Sequence, residues 1–220
     1  VETVSVTVIN VNEQPVITSS ATFSQNENTS TAIAAADVTP TDPDGAGSFT
    51  HSIVGGADET KFNINSVTGQ IFFKSTKDFE SPGSAASSND YVINVQVTDT
   101  TSAANGVLSS AEQTITITVV DANDAPVITT TAFGSIAENQ TAIGTLAATD
   151  ADSDTVSFAI TGGDDQGKFT LSGSTLAFNF SPDFESPADI GTNNVYEVQI
   201  TATDDGTGAL TDVETVSVTV

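Results

Sequence analysis

The sequence predicts an all-β protein: two tandem Greek-key β-sandwiches of seven strands each, set end to end in an elongated arrangement. Three observations carry this. Apolar residues alternate with polar ones over short runs, no segment keeps a helical period, and the pattern occurs twice along 220 residues. The clearest period-two runs are residues 114–119, 91–97 and 195–200. They are rich in β-branched residues and bounded by Gly, Asp, Asn and Pro clusters. About seven such strands per hundred residues, separated by turn signals, is the pattern of a sandwich with Greek-key connections.

The duplication sets the domain boundaries. Pro15-Val16-Ile17-Thr18 returns as Pro126-Val127-Ile128-Thr129 and Glu27-Asn28 as Glu138-Asn139, both at an offset of 111. Asp42-Pro43-Asp44 and Asp150-Ala151-Asp152 follow at 108, and Gly55-Gly56 and Gly162-Gly163 at 107. Asp78-Phe79-Glu80-Ser81-Pro82 and Asp183-Phe184-Glu185-Ser186-Pro187 stand 105 apart, as do Tyr91 and Tyr196, and Asp99 and Asp204. Offsets that shrink in small steps are what loop deletions between fixed strands produce. Repeat 1 then spans 14–120, a connector 121–125, and repeat 2 126–220. Residues 1–8 are identical to 213–220, so 1–13 reads as the last strand of a preceding repeat plus its connector. A chain without Met also reads as a piece of a longer one.

Composition narrows the function. The chain carries 29 Asp and Glu against four Lys and no Arg, a formal net charge of −25. The charge argues against nucleic acid or an anionic membrane as a partner, because displacing the counterions of a phosphate backbone takes Lys and Arg. Disulfides and thiolate metal sites are excluded by the absence of Cys. No apolar run approaches the ~18 residues of a membrane span. Phe49, Phe62, Phe72, Phe79, Phe158, Phe169 and Phe184 are the expected core aromatics, with Tyr91 and Tyr196 expected half-buried.

The acids are not scattered. Asp121-Ala122-Asn123-Asp124-Ala125-Pro126 joins the repeats, and the strand before it cannot continue through Pro126. If a sandwich is entered at one pole and left at the other, Glu27, Asp78 and Glu80 lie on the lower loops of repeat 1. Asp150, Asp152 and Asp204 then lie on the upper loops of repeat 2, with Asp124 between. Two carboxylates ~4 Å apart repel by about 4 kcal/mol at an effective dielectric of ~20, so such a gathering calls for a cation. Hard oxygen donors select Ca²⁺.

A D-x-N-D connector before a Pro, an acidic EN pair, a D-x-D pair, a D-x-E pair and a late-strand Asp together resemble the tandem cadherin repeat, here of the kind found in large bacterial extracellular adhesins. The motifs stand in the family's order, twice, over nearly the whole chain. The resemblance implies about three Ca²⁺ ions at the junction. Glu27, Asp78, Glu80, Asp124 and the Ala122 carbonyl would hold the upper two. Asn123, the Ala125 carbonyl, Asp150, Asp152 and Asp204 would hold the lowest, with Asp152 bridging. It also implies an upper half site at Asn12, Glu13, Asp42, Asp44 and Asp99, where Glu13 replaces the family's Asp, and a lower half site at Glu138, Asp183 and Glu185. Phe79 and Phe184 stand where the family commonly has a non-ligating Arg.

The resulting expectation is a calcium-rigidified segment of an extracellular, secreted or cell-surface adhesin. It extends or adheres in cell-cell, cell-surface or biofilm attachment, and is not an enzyme. Its partners are neighbouring repeats of the same chain, with homophilic or polysaccharide contacts in addition. The alternative is a calcium-dependent polysaccharide-binding module of a secreted carbohydrate-active protein. Sugar stacking uses exposed Trp or Tyr, and only Tyr91 and Tyr196 are on offer. An EF-hand beginning at Asp150-x-Asp152-x-Asp154 is rejected, since Thr155 and Thr161 stand where the loop needs Gly and Glu. A glycosidase carboxylate pair is disfavoured because every candidate pair recurs in the other repeat. His51 reads as an ordinary strand residue.

Overall fold

The computed structural model describes residues 2–45, 47–100 and 106–220. It divides into two compact units, Val1–Ala122 and Asn123–Val220. The division falls inside the connector expected at 121–125.

In the first unit the strands are β1 (Val16–Ile17), β2 (Thr22–Asn26), β3 (Ala36–Asp37), β4 (Pro40–Thr41), β5 (Phe49–Gly55), β6 (Phe62–Ile64), β7 (Gln70–Phe73), β8 (Asp90–Asp99) and β9 (Gln113–Val120). A four-stranded sheet runs β2-β9-β8-β5 and faces a three-stranded sheet β3-β7-β6, while β1 and β4 form a short pair. The second unit repeats this with β10 (Val127–Ile128), β11 (Ala132–Ser135), β12 (Ala142–Thr145), β13 (Ala148–Thr149), β14 (Ser157–Gly162), β15 (Phe169–Ser172), β16 (Thr175–Phe178), β17 (Val195–Thr203) and β18 (Thr211–Thr219). Its sheets are β11-β18-β17-β14 and β12-β16-β15, with the pair β10-β13. The last strand of each unit pairs antiparallel with the strand before it and parallel with an early strand: β9 with β8 and β2, β18 with β17 and β11. The two sheets of each unit together hold the expected seven strands, and the short pair is additional.

Alternation decides what is buried. In β8, Tyr91, Ile93, Val95 and Val97 are fully buried, and in β17 Tyr196, Val198, Ile200 and Ala202 are. Their neighbours point away, as period two requires. The Gly-Gly motif has its reason in these strands. Gly56 (φ +103) and Gly163 (φ +97) pass so close that a Cβ would stand 2.4 Å from Ile93 Cα and 2.6 Å from Val198 Cα respectively.

The aromatic core differs from the expected list in three places. Phe73, not Phe72, faces inward and meets the Phe62 ring at a tilt, centroids 4.5 Å apart, because Phe73 is the residue paired with Phe62 across β6 and β7. Phe184 is 54% exposed, since its loop is turned to present acids rather than to fill the sandwich. Tyr91 and Tyr196 are fully buried, not half-buried. Their hydroxyls are satisfied inside, accepting from the Gly83 and Ala188 N–H groups at 3.0 and 3.1 Å, and their rings meet Phe73 and Phe178 edge-on.

Residues 2–15 form no strand, and Val4, Val6 and Val8 are exposed. Val1 of the expected strand lies outside the described residues. The same octapeptide at 213–220 buries Val216, Val218 and Val220. A strand sequence without a sheet gains neither the ladder nor the burial.

Candidate metal centre

The lower loops of the first unit bring carboxylates together. Glu27 follows β2 directly and is only 3% exposed. Its Oε2 accepts from the Phe79 N–H at 2.7 Å and its Oε1 from the Ala122 N–H at 3.0 Å. One side chain thus ties the EN turn, the D-x-E loop and the connector. The turn itself is made by Asn28 in the left-handed region (φ 54), a conformation Asn tolerates. Glu27, Glu80 and Asp121 each present an oxygen within 4.8 Å of the others. Asp78 stands on the same loop, its Oδ1 accepting from the Ser81 N–H at 2.8 Å. Ala122 is half-buried and Ala125 exposed.

The same loops of the second unit repeat the device. Asn139 takes φ 62, Glu138 Oε2 accepts from the Phe184 N–H at 3.1 Å, and Asp183 Oδ1 accepts from the Glu185 N–H at 3.1 Å. Glu138, Asp183 and Glu185 form a second group of oxygens within 4.8 Å, all exposed. These three carboxylates therefore lie together, in a more open setting than Glu27, Glu80 and Asp121.

At the upper loops of the second unit, the connector folds back. The Asp124 N–H donates to Asp152 Oδ2 at 2.6 Å, and Asn123 Nδ2 donates to Asp204 Oδ2 at 3.1 Å. Asp204 is buried, its Oδ1 accepting from the Gly206 and Leu210 N–H groups. Asp150, Asp152 and Asp154 make the third group of oxygens within 4.8 Å. Asp150 Oδ1 accepts from the Asp154 N–H at 3.1 Å, while its Oδ2 is buried with no hydrogen-bond partner. Desolvation, and then the charges of Asp150, Asp205, Asp152 and Asp204, hold the Asp154 carboxyl above the ordinary aspartate range.

The upper loops of the first unit follow the same plan. The Glu13 N–H donates to Asp44 Oδ2 at 2.8 Å, the bond that Asp124 makes to Asp152. Asn12 Nδ2 donates to the Gly106 carbonyl at 2.9 Å, and Asn10 Nδ2 donates to Asp44 Oδ1. The hydrogen bond shared with Asp44 raises the Glu13 carboxyl, and the Glu13 N–H lowers that of Asp44. Asp99 is buried, and Asn12 Oδ1 and Asp42 Oδ2 are buried without partners. Among the described residues, Asp42, Asp44 and Asp99 do not close into a tight three-carboxylate group as the other three loop sets do.

The donor set is all oxygen and anionic. Buried carboxylate and amide oxygens without hydrogen bonds are rare and need a partner, and a hard cation supplies one. The residues fit such an ion. Two acids were missed in the sequence reading. Asp121 stands in the quoted connector but carries no assigned role there, and Asp154 was set aside with the EF-hand. Acid content at those loops was the available signal; only the folded loops show which acids converge. His51 is buried, with Nδ1 3.2 Å from the Ser66 carbonyl, away from these groups.

The cadherin domain family model matches residues 19–120, and the second unit repeats that architecture strand for strand. The first unit is thus cadherin-like, and the second shares its strand order. Among solved structures, human CDH23 EC21-23 is similar at 21% identity and a TM-score of 0.51, over 94% of this chain and 69% of that one. Mouse Cadherin-23 EC22-24 is similar at 21% identity and a TM-score of 0.48, over 96% of this chain and 66% of that one. The Protocadherin GammaB4 extracellular domain matches at 20% identity and a TM-score of 0.46. That match takes in 95% of this chain but only 35% of the GammaB4 chain. At 21% identity the likeness to human CDH23 EC21-23 concerns the fold alone. Among the described residues, no helix is long and apolar enough to cross a membrane.

Proposed function

We propose that this chain is a calcium-stiffened segment of a bacterial extracellular adhesin, working as an extender or adhesive module in attachment. The observation that carries the reading is the Glu27, Glu80 and Asp121 group. It combines a carboxylate that is 3% exposed with two others inside 4.8 Å, and Glu27 is tethered to the connector through the Ala122 N–H. Three such charges repel strongly unless a cation lies among them. Glu27, Asp78, Glu80, Asp121 and Asp124, with the Ala122 carbonyl, would hold calcium at the connector. Asn123, the Ala125 carbonyl, Asp150, Asp152 and Asp204 would hold it below. The ion's role is mechanical: it replaces repulsion among loop carboxylates by attraction and turns a flexible joint into a stiff one. About three ions, as the family resemblance implies, would nearly neutralise the junction.

Support for an extended array comes from residues 1–8, which copy 213–220 in sequence, while residues 2–8 bury nothing in this chain. They would complete the sandwich of a neighbouring repeat. The polysaccharide-binding alternative loses its aromatic platform, because Tyr91 and Tyr196 are fully buried.

The test is the melting temperature in millimolar Ca²⁺ against EGTA. A site at a hundredfold excess of ion over Kd contributes about 2.7 kcal/mol, so a rise of several degrees is expected. An unchanged melting temperature in calcium overturns the reading.

A further inference from the structure

The loop Asp150-Ala151-Asp152-Ser153-Asp154 has as its counterpart Asp42-Pro43-Asp44-Gly45-Ala46 in the first repeat. The first two acids are shared; the third is peculiar to the second repeat. Its surroundings do not look like those of a solvated surface acid. Ser153 turns through the left-handed region (φ 66), and the Asp154 N–H is held by Asp150 Oδ1. The Asp154 carboxylate thereby joins those of Asp150 and Asp152 within 4.8 Å.

A second observation comes from across the loop. A Cβ placed on Gly206 would stand 2.0 Å from Asp154 Oδ2 and 1.9 Å from Asn123 Oδ1. Both oxygens therefore converge on one point above the glycine backbone, which has room only because no side chain is there. Asn123 meanwhile gives its Nδ2 to Asp204 Oδ2. The amide lies between two carboxylates, Asp204 on one side and Asp154 on the other. Whichever way it is turned, its oxygen faces one of them, and two acceptors face each other with no proton between. Asp150 Oδ2, buried without a partner, adds a third unanswered oxygen on the same loop.

We propose that Asp154 is a direct ligand of the cation held by the upper loops of the second repeat, with Gly206 retained to keep that approach open. This rests on the calcium reading above. It makes the pole a four-carboxylate site, Asp150, Asp152, Asp154 and Asp204, where the corresponding pole of the first repeat has three. Affinity in oxygen-ligand calcium sites rises with the number of charged ligands, so this pole fills at lower calcium than the Asn12, Asp42, Asp44 and Asp99 pole.

The experiment uses the full chain and compares Asp154→Asn with Asp164→Asn, an exposed acid of the same unit outside the loop. Calcium titration by calorimetry should show the tightest class of sites weakened about tenfold or more in D154N and unchanged in D164N. Terbium at substoichiometric ratio then separates ligation from mere charge. Its luminescence lifetimes in H₂O and D₂O should report an additional bound water in D154N only. Melting in EGTA checks that D154N is folded. Equal affinities and equal lifetimes in the two variants overturn the Asp154 assignment while leaving the calcium reading standing. Absence of calcium binding by the unsubstituted chain overturns both.

Discussion

At the scale of single residues, the two repeats act as controls for each other. His51 pairs with Val97 on β8, while Phe158 pairs with Ala202 on β17. Val97 and Ala202 are the same position in the two repeats, so His51 occupies a Phe site. It is 4% exposed, and its Nε2 has no partner. An unsatisfied buried polar atom costs about 1–3 kcal/mol. His51→Phe should therefore stabilise the first unit by about 1–2 kcal/mol in urea titration, at any calcium concentration. A lower midpoint would mean that the Nδ1 contact to Ser66 outweighs the orphaned nitrogen. His51 is a strand residue, as its sequence context predicts, and its missing partner appears only once the neighbouring strands are in place.

Among the elements, not every buried acid belongs to a metal. Asp58 is 2% exposed, accepting the Ala85 N–H at Oδ1 (2.7 Å) and the Val92 N–H at Oδ2 (2.9 Å). Asp165 does the same for the Ile190 and Glu197 N–H groups at 2.8 and 3.0 Å. Each carboxylate pins the loop before the long strand β8 or β17 to the 3₁₀ turn at Glu59–Lys61 or Gln166–Lys168. Asp58→Ala takes the shared acceptor from the Ala85 and Val92 amides and should cost about 1–3 kcal/mol. The loss should be equal in calcium and in EGTA, which separates this peg from the loop acids. A loss seen only in calcium would make Asp58 part of a metal site.

For the whole molecule, the exposed stripe of Val4, Val6 and Val8 is the anomaly. The same side-chain pattern in β18 is core. An apolar edge without a sheet invites pairing with another chain. Removing residues 1–9 should leave the melting temperature unchanged, since Val4, Val6 and Val8 touch no core, and should lower self-association measured by light scattering. A large fall in melting temperature would show that the segment packs on its own first unit. The calcium-dependent melting proposed above belongs to this scale as well, because acids from loops far apart in sequence take part together.

The sandwich class, the two repeats and the loops that carry acids were all legible from residue order, for a local reason. Period-two alternation is imposed by the strand backbone itself, and β8, β9 and β17 show it directly. Duplication then marked which Asp and Glu recur. Facing and convergence were not legible. Phe72 and Phe73 are adjacent and equally apolar, and only the pairing of Phe73 with Phe62 across β6 and β7 selects the one that enters the core. Phe184 looked like core until its loop turned outward to let its N–H meet Glu138. Tyr91 and Tyr196 are fully buried because backbone amides of distant loops reach their hydroxyls. Likewise Asp121 and Asp154 are ordinary acids in the sequence, and tertiary folding of the connector and the Asp150 loop brings their oxygens to the others. Alternation is a property of neighbours along the chain, whereas a cation site is a property of oxygens that meet across it.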